Sequence, residues 1–196
     1  MKFIRVKFLT LILFTNAILL IGQVPYSVNQ IQYSSTLNNV LFTKTDSIKD
    51  KIWLDSGLPY YNMPINSKCF TSGDFGEDTL VFCDCFKKHD TIYISLSAPS
   101  ACCCHILTLQ LIGKSFTSNF FCSYDISPSN VTMHPIKSNL VLKQSTTNPN
   151  DLLEGYVSFN GEGKYNLSAT FRKLTRQEKN SIFKQQVQGY FKCKVK

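Results

Sequence analysis

A mainly β domain is what this sequence predicts: an antiparallel sandwich or barrel with one short C-terminal helix, preceded by a signal sequence. Three observations predict it. Apolar residues recur at every second position through much of residues 79–171, as they do in strands with one face turned inward. Turn-forming residues break that stretch into short runs, and about seven to nine such runs at near-regular spacing suit a sandwich or barrel. Eight cysteines follow an apolar N-terminal run, and an even count in an exported chain suggests a disulfide framework.

The signal comes first. Lys2, Arg5 and Lys7 precede an apolar run over residues 8–22, with no acid before Asp46. A cationic start followed by a run of this length is the secretory pattern. The run contains Thr10, Thr15 and Asn16 and is shorter than the ~20 apolar residues a bilayer span needs. A cleaved signal over residues 1–22 is therefore expected, with no permanent membrane span. Gly22 suits a cut and Leu20 does not, so the cleavage point stays open. Residues 23–196 then form a single exported domain, long enough to bury roughly 70% of its unfolded surface.

Within that domain, residues 23–68 read as an irregular lead-in. They are rich in Asn, Gln, Ser and Thr, with at most a short strand at 39–43, an apolar run Ile52-Trp53-Leu54, and loop chemistry at Pro59 and Pro64. Residues 79–86 alternate Leu80, Phe82 and Phe86 against Val81, Cys83 and Cys85. Residues 91–97 alternate Ile92, Ile94 and Leu96 against Tyr93 and the serines. Lys87-Lys88-His89-Asp90 between them makes a hairpin with a four-residue loop. Residues 105–112 carry Leu107, Leu109 and Leu111 on one face, and Gly113-Lys114-Ser115 turns the chain. A short aromatic strand at 119–124 comes next, then a loop with Pro128, Asn130 and Pro135, a strand at 138–143 and a turn at 146–150. Asn160-Gly161-Glu162-Gly163 predicts a second hairpin joining 155–159 to 164–171, because Asn-Gly tolerates positive φ. Thr175-Arg176-Gln177-Glu178 matches a capping box. The helix it starts would place Ile182, Phe183 and Val187 on one face and end at Gly189, leaving residues 190–196 as a lysine-rich edge strand.

Cys69, Cys83, Cys85, Cys102, Cys103, Cys104, Cys122 and Cys193 are all disulfide candidates. Eight cysteines allow 105 connectivities, so spacing alone does not select one. Cys83 and Cys85 share a strand face, as Cys102 and Cys104 would if extended. Opposed Cα atoms on paired strands are about 4.5–5.5 Å apart, inside the disulfide range, so rungs between these two pairs are expected. The alternative is a metal: Cys83, Cys85, Cys102, Cys104 and His105 could supply soft ligands to zinc or copper(I). That spacing departs from the usual paired C-x₂₋₄-C, and an oxidising compartment competes for the thiols.

Charge is uneven. The chain carries a net +8, and eight cations against the single acid Glu178 lie in residues 172–196. Arg172, Lys173, Arg176, Lys179, Lys184, Lys192, Lys194 and Lys196 could meet an anionic surface, although a charge run is more often a solvated face. No nucleic-acid partner is expected. Asp74, Glu77 and Asp78 sit beside Gly73 and Gly76, which reads as a turn rather than a carboxylate pair. The chain contains neither H-E-x-x-H nor G-x-S-x-G. The expected function is therefore a non-enzymatic exported module that binds a partner or supports a surface (secreted, periplasmic or on the cell surface) without a cofactor. The alternative is a metal-binding or thiol-redox protein built on the cysteine cluster.

Overall fold

A computed structural model describes residues 28–37, 66–98, 103–124, 130–145, 148–166 and 174–196. The expected signal sequence, the strand at 39–43, the run at 52–54, Cys102, Arg172 and Lys173 lie outside the described residues. In chain order the strands are β1 (Asn29–Gln30), β2 (Gln32–Tyr33), β3 (Ser67–Gly73), β4 (Asp78–Leu80), β5 (Phe82–Lys88), β6 (Thr91–Ser97), β7 (Cys103–Ile112), β8 (Ser115–Tyr124), β9 (Asn130–Leu142), β10 (Leu152–Tyr165) and β11 (Phe183–Lys194). Helix α1 (Arg176–Asn180) precedes the last of them. The lead-in thus contributes two short strands and part of a third, where the sequence suggests irregular chain.

The alternating stretches pair with their neighbours in sequence. β5 through β11 form an antiparallel meander, and the full order is β4-β3-β11-β10-β9-β8-β7-β6-β5. The β5–β6 hairpin forms as expected, with a tighter loop, because Lys87 and Lys88 pair with Ile92 and Thr91. Only His89 and Asp90 turn, and His89 takes φ 54°. Gly113 takes φ 58° in the two-residue link from β7 to β8, the positive φ such links require.

Residues 79–86 are two strands, not one. β4 pairs with β3 and β5 with β6. Between them Val81 donates to the Ser97 carbonyl and accepts from the N–H groups of Asn66 and Ser67. The phase shifts there, so Leu80, Val81, Cys83 and Cys85 are buried. Phe86 turns outward and stacks on Tyr93 with ring centroids 5.0 Å apart.

At the predicted second turn the chain runs on as one long strand, and residues 167–171 of the predicted second arm lie outside the described residues. Gly161 and Gly163 lie inside β10, paired with Pro135 and Met133 on β9 and with Gln185 and Phe183 on β11. Both glycines answer to close approach rather than to a turn. A Cβ on Gly163 would run into the Thr132 carbonyl oxygen, and one on Gly161 into the Phe159 ring and the His134 carbonyl. The loop expected around Pro135 is likewise strand. The register slips between Asn160 and Gly161, so Ile136 is the extra residue on β9. Such a bulge accommodates a proline whose missing N–H would interrupt a regular ladder.

The capping box is present. Thr175 Oγ1 accepts from the Glu178 N–H at 3.2 Å, and Glu178 Oε2 accepts from the Thr175 N–H at 2.8 Å. The helix ends after one turn, against the expectation that it runs to Gly189. Gln185, Val187, Gly189, Phe191 and Cys193 alternate inward and pair with β10, and the first four pair also with β3 on the other side. Three apolar residues at helical spacing are outweighed by a twelve-residue strand with two neighbours. The expected edge strand is therefore interior to the sheet.

The sheet curls until its ends nearly meet. Lys196 donates its N–H to the Cys85 carbonyl at 3.1 Å and accepts from the Lys87 N–H at 3.0 Å, which joins the end of the chain to β5. Farther along this seam, β3 and β4 fill the widening gap. The interior is packed side chains. Phe116, Phe120, Phe159, Phe191, Met133 and several leucines are almost wholly buried, each contributing roughly 1.5–3 kcal/mol. Across one end runs a strap: β1 pairs antiparallel with β8, and β2 pairs parallel with β9.

Candidate functional site

The seam gathers most of the chemistry-bearing residues. Cys85 and Cys193 form a disulfide across it, with Cα atoms 6.0 Å apart. Cys83 and Cys69 are buried inside the barrel along the same line. The Asn66 side chain spans the seam by bonding both the N–H and the carbonyl of Cys83. Ser67 Oγ donates to Cys69 Sγ at 3.4 Å. At the far end, Asp78 Oδ2 lies 3.1 Å from His105 Nδ1.

Of the cysteines in the expected rungs between Cys83/Cys85 and Cys102/Cys104, Cys102 lies outside the described residues, and the described positions do not oppose one another. β6 lies between β5 and β7, so Cys83 is opposed by Leu96 and Cys85 by Ile94. Cys104 is exposed. The partner of Cys85 comes instead from the end of the chain, a pairing no local spacing encodes.

Of the alternative metal set, Cys102 lies outside the described residues, and the four described members are not gathered at one point. Cys85 is bonded to Cys193, Cys83 and His105 face inward, and Cys104 is exposed. Among the described residues, no three His, Cys, Asp or Glu side chains come together as a metal site. Burial pushes the Cys69 thiol up to about 11, and burial followed by the nearby Cys69 and Asp84 raises that of Cys83. Both are protonated at neutral pH, whereas a thiolate is the nucleophile and the metal ligand.

His105 is held differently. Burial lowers its pKa from 6.5, and the charge and hydrogen bond of Asp78 oppose that only in part. The folded protein therefore binds this proton less readily than the unfolded chain. The contribution of His105 to stability is fully present above pH 6.5 and is lost as the pH falls through the lower folded value. In a thermal-melting series from neutral pH downward, His105→Gln is expected to flatten the decline that wild type shows below pH 6.5. A variant that declines as steeply as wild type would assign acid sensitivity to other groups.

The acidic turn behaves as its glycines suggest. Asp74 accepts from the Lys184 N–H at 2.7 Å, while Asp78 turns to His105, so the carboxylates serve different partners. The lysines of β11 all face outward, though not as one patch. Lys184 is opposed by Glu162 and Lys192 by Glu154. Glu154 also binds Lys143 at 2.8 Å, and Lys196 pairs with Asp84. Lys184 and Lys192 are eight residues apart, about 26 Å along a strand. Arg176 and Lys179 are exposed on α1.

What the sequence pattern misses is the outer face of β3, β11 and β10. The register aligns Thr79, Phe70, Gln188 and Ser158 in one row across four strands, with Asn139 of β9 beyond. The adjacent outward row holds Ser72, Gln186 and Asn160. Phe70 is 58% exposed and lies in a groove of about 390 Å³ with Gln186, Gln188, Thr79, Glu77 and Asp78. Asp78 therefore links this groove to His105 inside. The signal was the outward half of the β11 alternation, concealed by reading those residues as helix. Compared with protein-family models, curated proteins and solved structures, the chain matches none of them, so any function must be argued from its own residues.

Proposed function

We propose that this protein is an exported, non-catalytic binding module that recognises an uncharged, polyhydroxylated partner through the outer face of β3, β11 and β10. Export rests on the N-terminal pattern of Lys2, Arg5, Lys7 and the apolar run behind them. The observation that carries the binding reading is the pair of outward rows, in which amides and hydroxyls surround the exposed Phe70. Each Gln offers one acceptor and two donor hydrogens, a set that satisfies neighbouring sugar hydroxyls. An exposed aromatic ring supplies an apolar face for the C–H side of a sugar.

The test is a titration of the purified, disulfide-bonded protein with a panel of neutral oligosaccharides. Phe70→Ala and Gln188→Ala are each expected to weaken binding at least fivefold while leaving the melting temperature within a few degrees. Binding that survives both substitutions, or saturable binding of charged glycans alone, would overturn the assignment.

A further inference from the structure

The outer face carries a second aromatic feature beyond Phe70. On β11 and β10 the outward rungs run, in order, Lys184–Glu162, Gln186–Asn160, Gln188–Ser158, Tyr190–Tyr156 and Lys192–Glu154. Three uncharged rungs therefore lie between two charged ones. Tyr190 and Tyr156 close this window on one side, with ring centroids 4.9 Å apart and planes at 62°, an edge-on contact. Both are half-buried, so each ring is braced by its neighbour and still reaches solvent.

Register fixes how these rings stand relative to Phe70. Phe70 opposes Gln188, and Lys68 opposes Tyr190, so Phe70 and Tyr190 are diagonal neighbours about 7–8 Å apart. Tyr156 lies one strand farther, roughly 12 Å from Phe70. The three aromatic residues thus form an oblique strip over β3, β11 and β10, with the Gln188 amide and the Ser158 hydroxyl alongside it. A single pyranose ring that stacks on one end of this strip cannot reach the other. Of the charges around the strip, Lys68 borders Tyr190, while Glu77 and Asp78 line the groove around Phe70. Neither sign prevails, which suits an uncharged ligand whose hydroxyls both donate and accept.

We infer that the partner is an extended chain of at least three neutral sugar units lying along this strip, with one unit on Phe70, the next against Gln188 and the last on Tyr190 and Tyr156. The inference rests on the outer-face reading and adds to it the length of the ligand and the two tyrosines that select for it. Units beyond the first are tethered, so each further contact forms as an intramolecular event and raises affinity without a second cost of association. Rings already braced against each other lose little freedom when the sugar arrives.

The experiment is a calorimetric titration of the purified, disulfide-bonded protein with linear glucose, mannose and xylose oligomers, from the disaccharide to the hexasaccharide. In whichever series binds, affinity is expected to rise about tenfold from disaccharide to tetrasaccharide and to change little beyond it. Tyr156→Ala and Tyr190→Leu are each expected to remove most of that rise. The disaccharide, seated at Phe70, should bind these variants as it binds wild type, which also shows that they are folded. Tyr156→Phe keeps the ring and is expected to keep the rise. A disaccharide that binds as tightly as the hexasaccharide, or a rise that survives both tyrosine substitutions, would overturn this inference and leave the outer-face reading standing. So would a tyrosine variant that loses disaccharide and tetrasaccharide alike, because the rings would then support the face rather than meet a distant sugar unit. If no neutral oligomer binds, the outer-face reading falls and this inference with it.

Discussion

Replacing Cys85 and Cys193 together with alanine is expected to lower stability by about 3–5 kcal/mol, because their bond closes a loop of about a hundred residues in the unfolded chain. The two cysteines are 108 residues apart, and loop-closure entropy grows with the length enclosed. For a chain of this size that corresponds to a fall in melting temperature of roughly 6–20 °C. Urea unfolding under oxidising and reducing conditions checks it. Wild type should drop to the level of the double variant when reductant is added, and the double variant should not respond. Equal stability of the two proteins without reductant would mean that the seam is held by its hydrogen bonds alone, those of Lys196 to β5 and of Asn66 to Cys83.

Gly163→Val is the second large effect, with an expected loss of about 3 kcal/mol, at the upper end for overpacking. The obstacles around Gly163 are the carbonyl of Thr132 and the Cα of Met133. Backbone atoms of a paired strand cannot swing aside as a side-chain tip can, so relief requires opening the β9–β10 ladder. Glu162→Ala beside it, on the exposed face, is expected to change stability by less than about 0.5 kcal/mol. Chemical denaturation of both variants decides the point. A loss under about 1 kcal/mol at Gly163 would place it in an open turn, with β10 split into a hairpin.

That prediction bears on why part of the fold was legible in the sequence and part was not. Residues 91–97 and 105–112 show their inward and outward faces directly, because side chains on a strand alternate whatever the strand pairs with. The capping box at Thr175 and Glu178 is also local, since both partners lie within one turn. Asn160-Gly161-Glu162-Gly163 has the composition of a turn, yet its glycines serve the close approach of β9. Composition alone does not separate these two uses of glycine. Ile182, Phe183 and Val187 fit a helix face and a strand equally well, and the pairing of β11 with both β3 and β10 settles the choice.

The candidate sites divide along the same line. The buried thiols, His105 and the lysines of β11 could be named from residue type, but their relations could not. Cys85 meets Cys193, Asp78 meets His105, and Phe70 aligns with Gln188 only because the meander curls far enough to bring β5 toward the chain end and to seat β3 against β11.

By itself the sequence determined a β-rich chain, the alternation of its clearest strands and the start of its helix, since these depend on neighbours a few residues apart. The tertiary structure decided which strands pair, which cysteines bond, and which residues line the outer groove. Those contacts join positions as distant as Asn66 and Lys192, and their free energy depends on a closed sheet that no short window of residues contains.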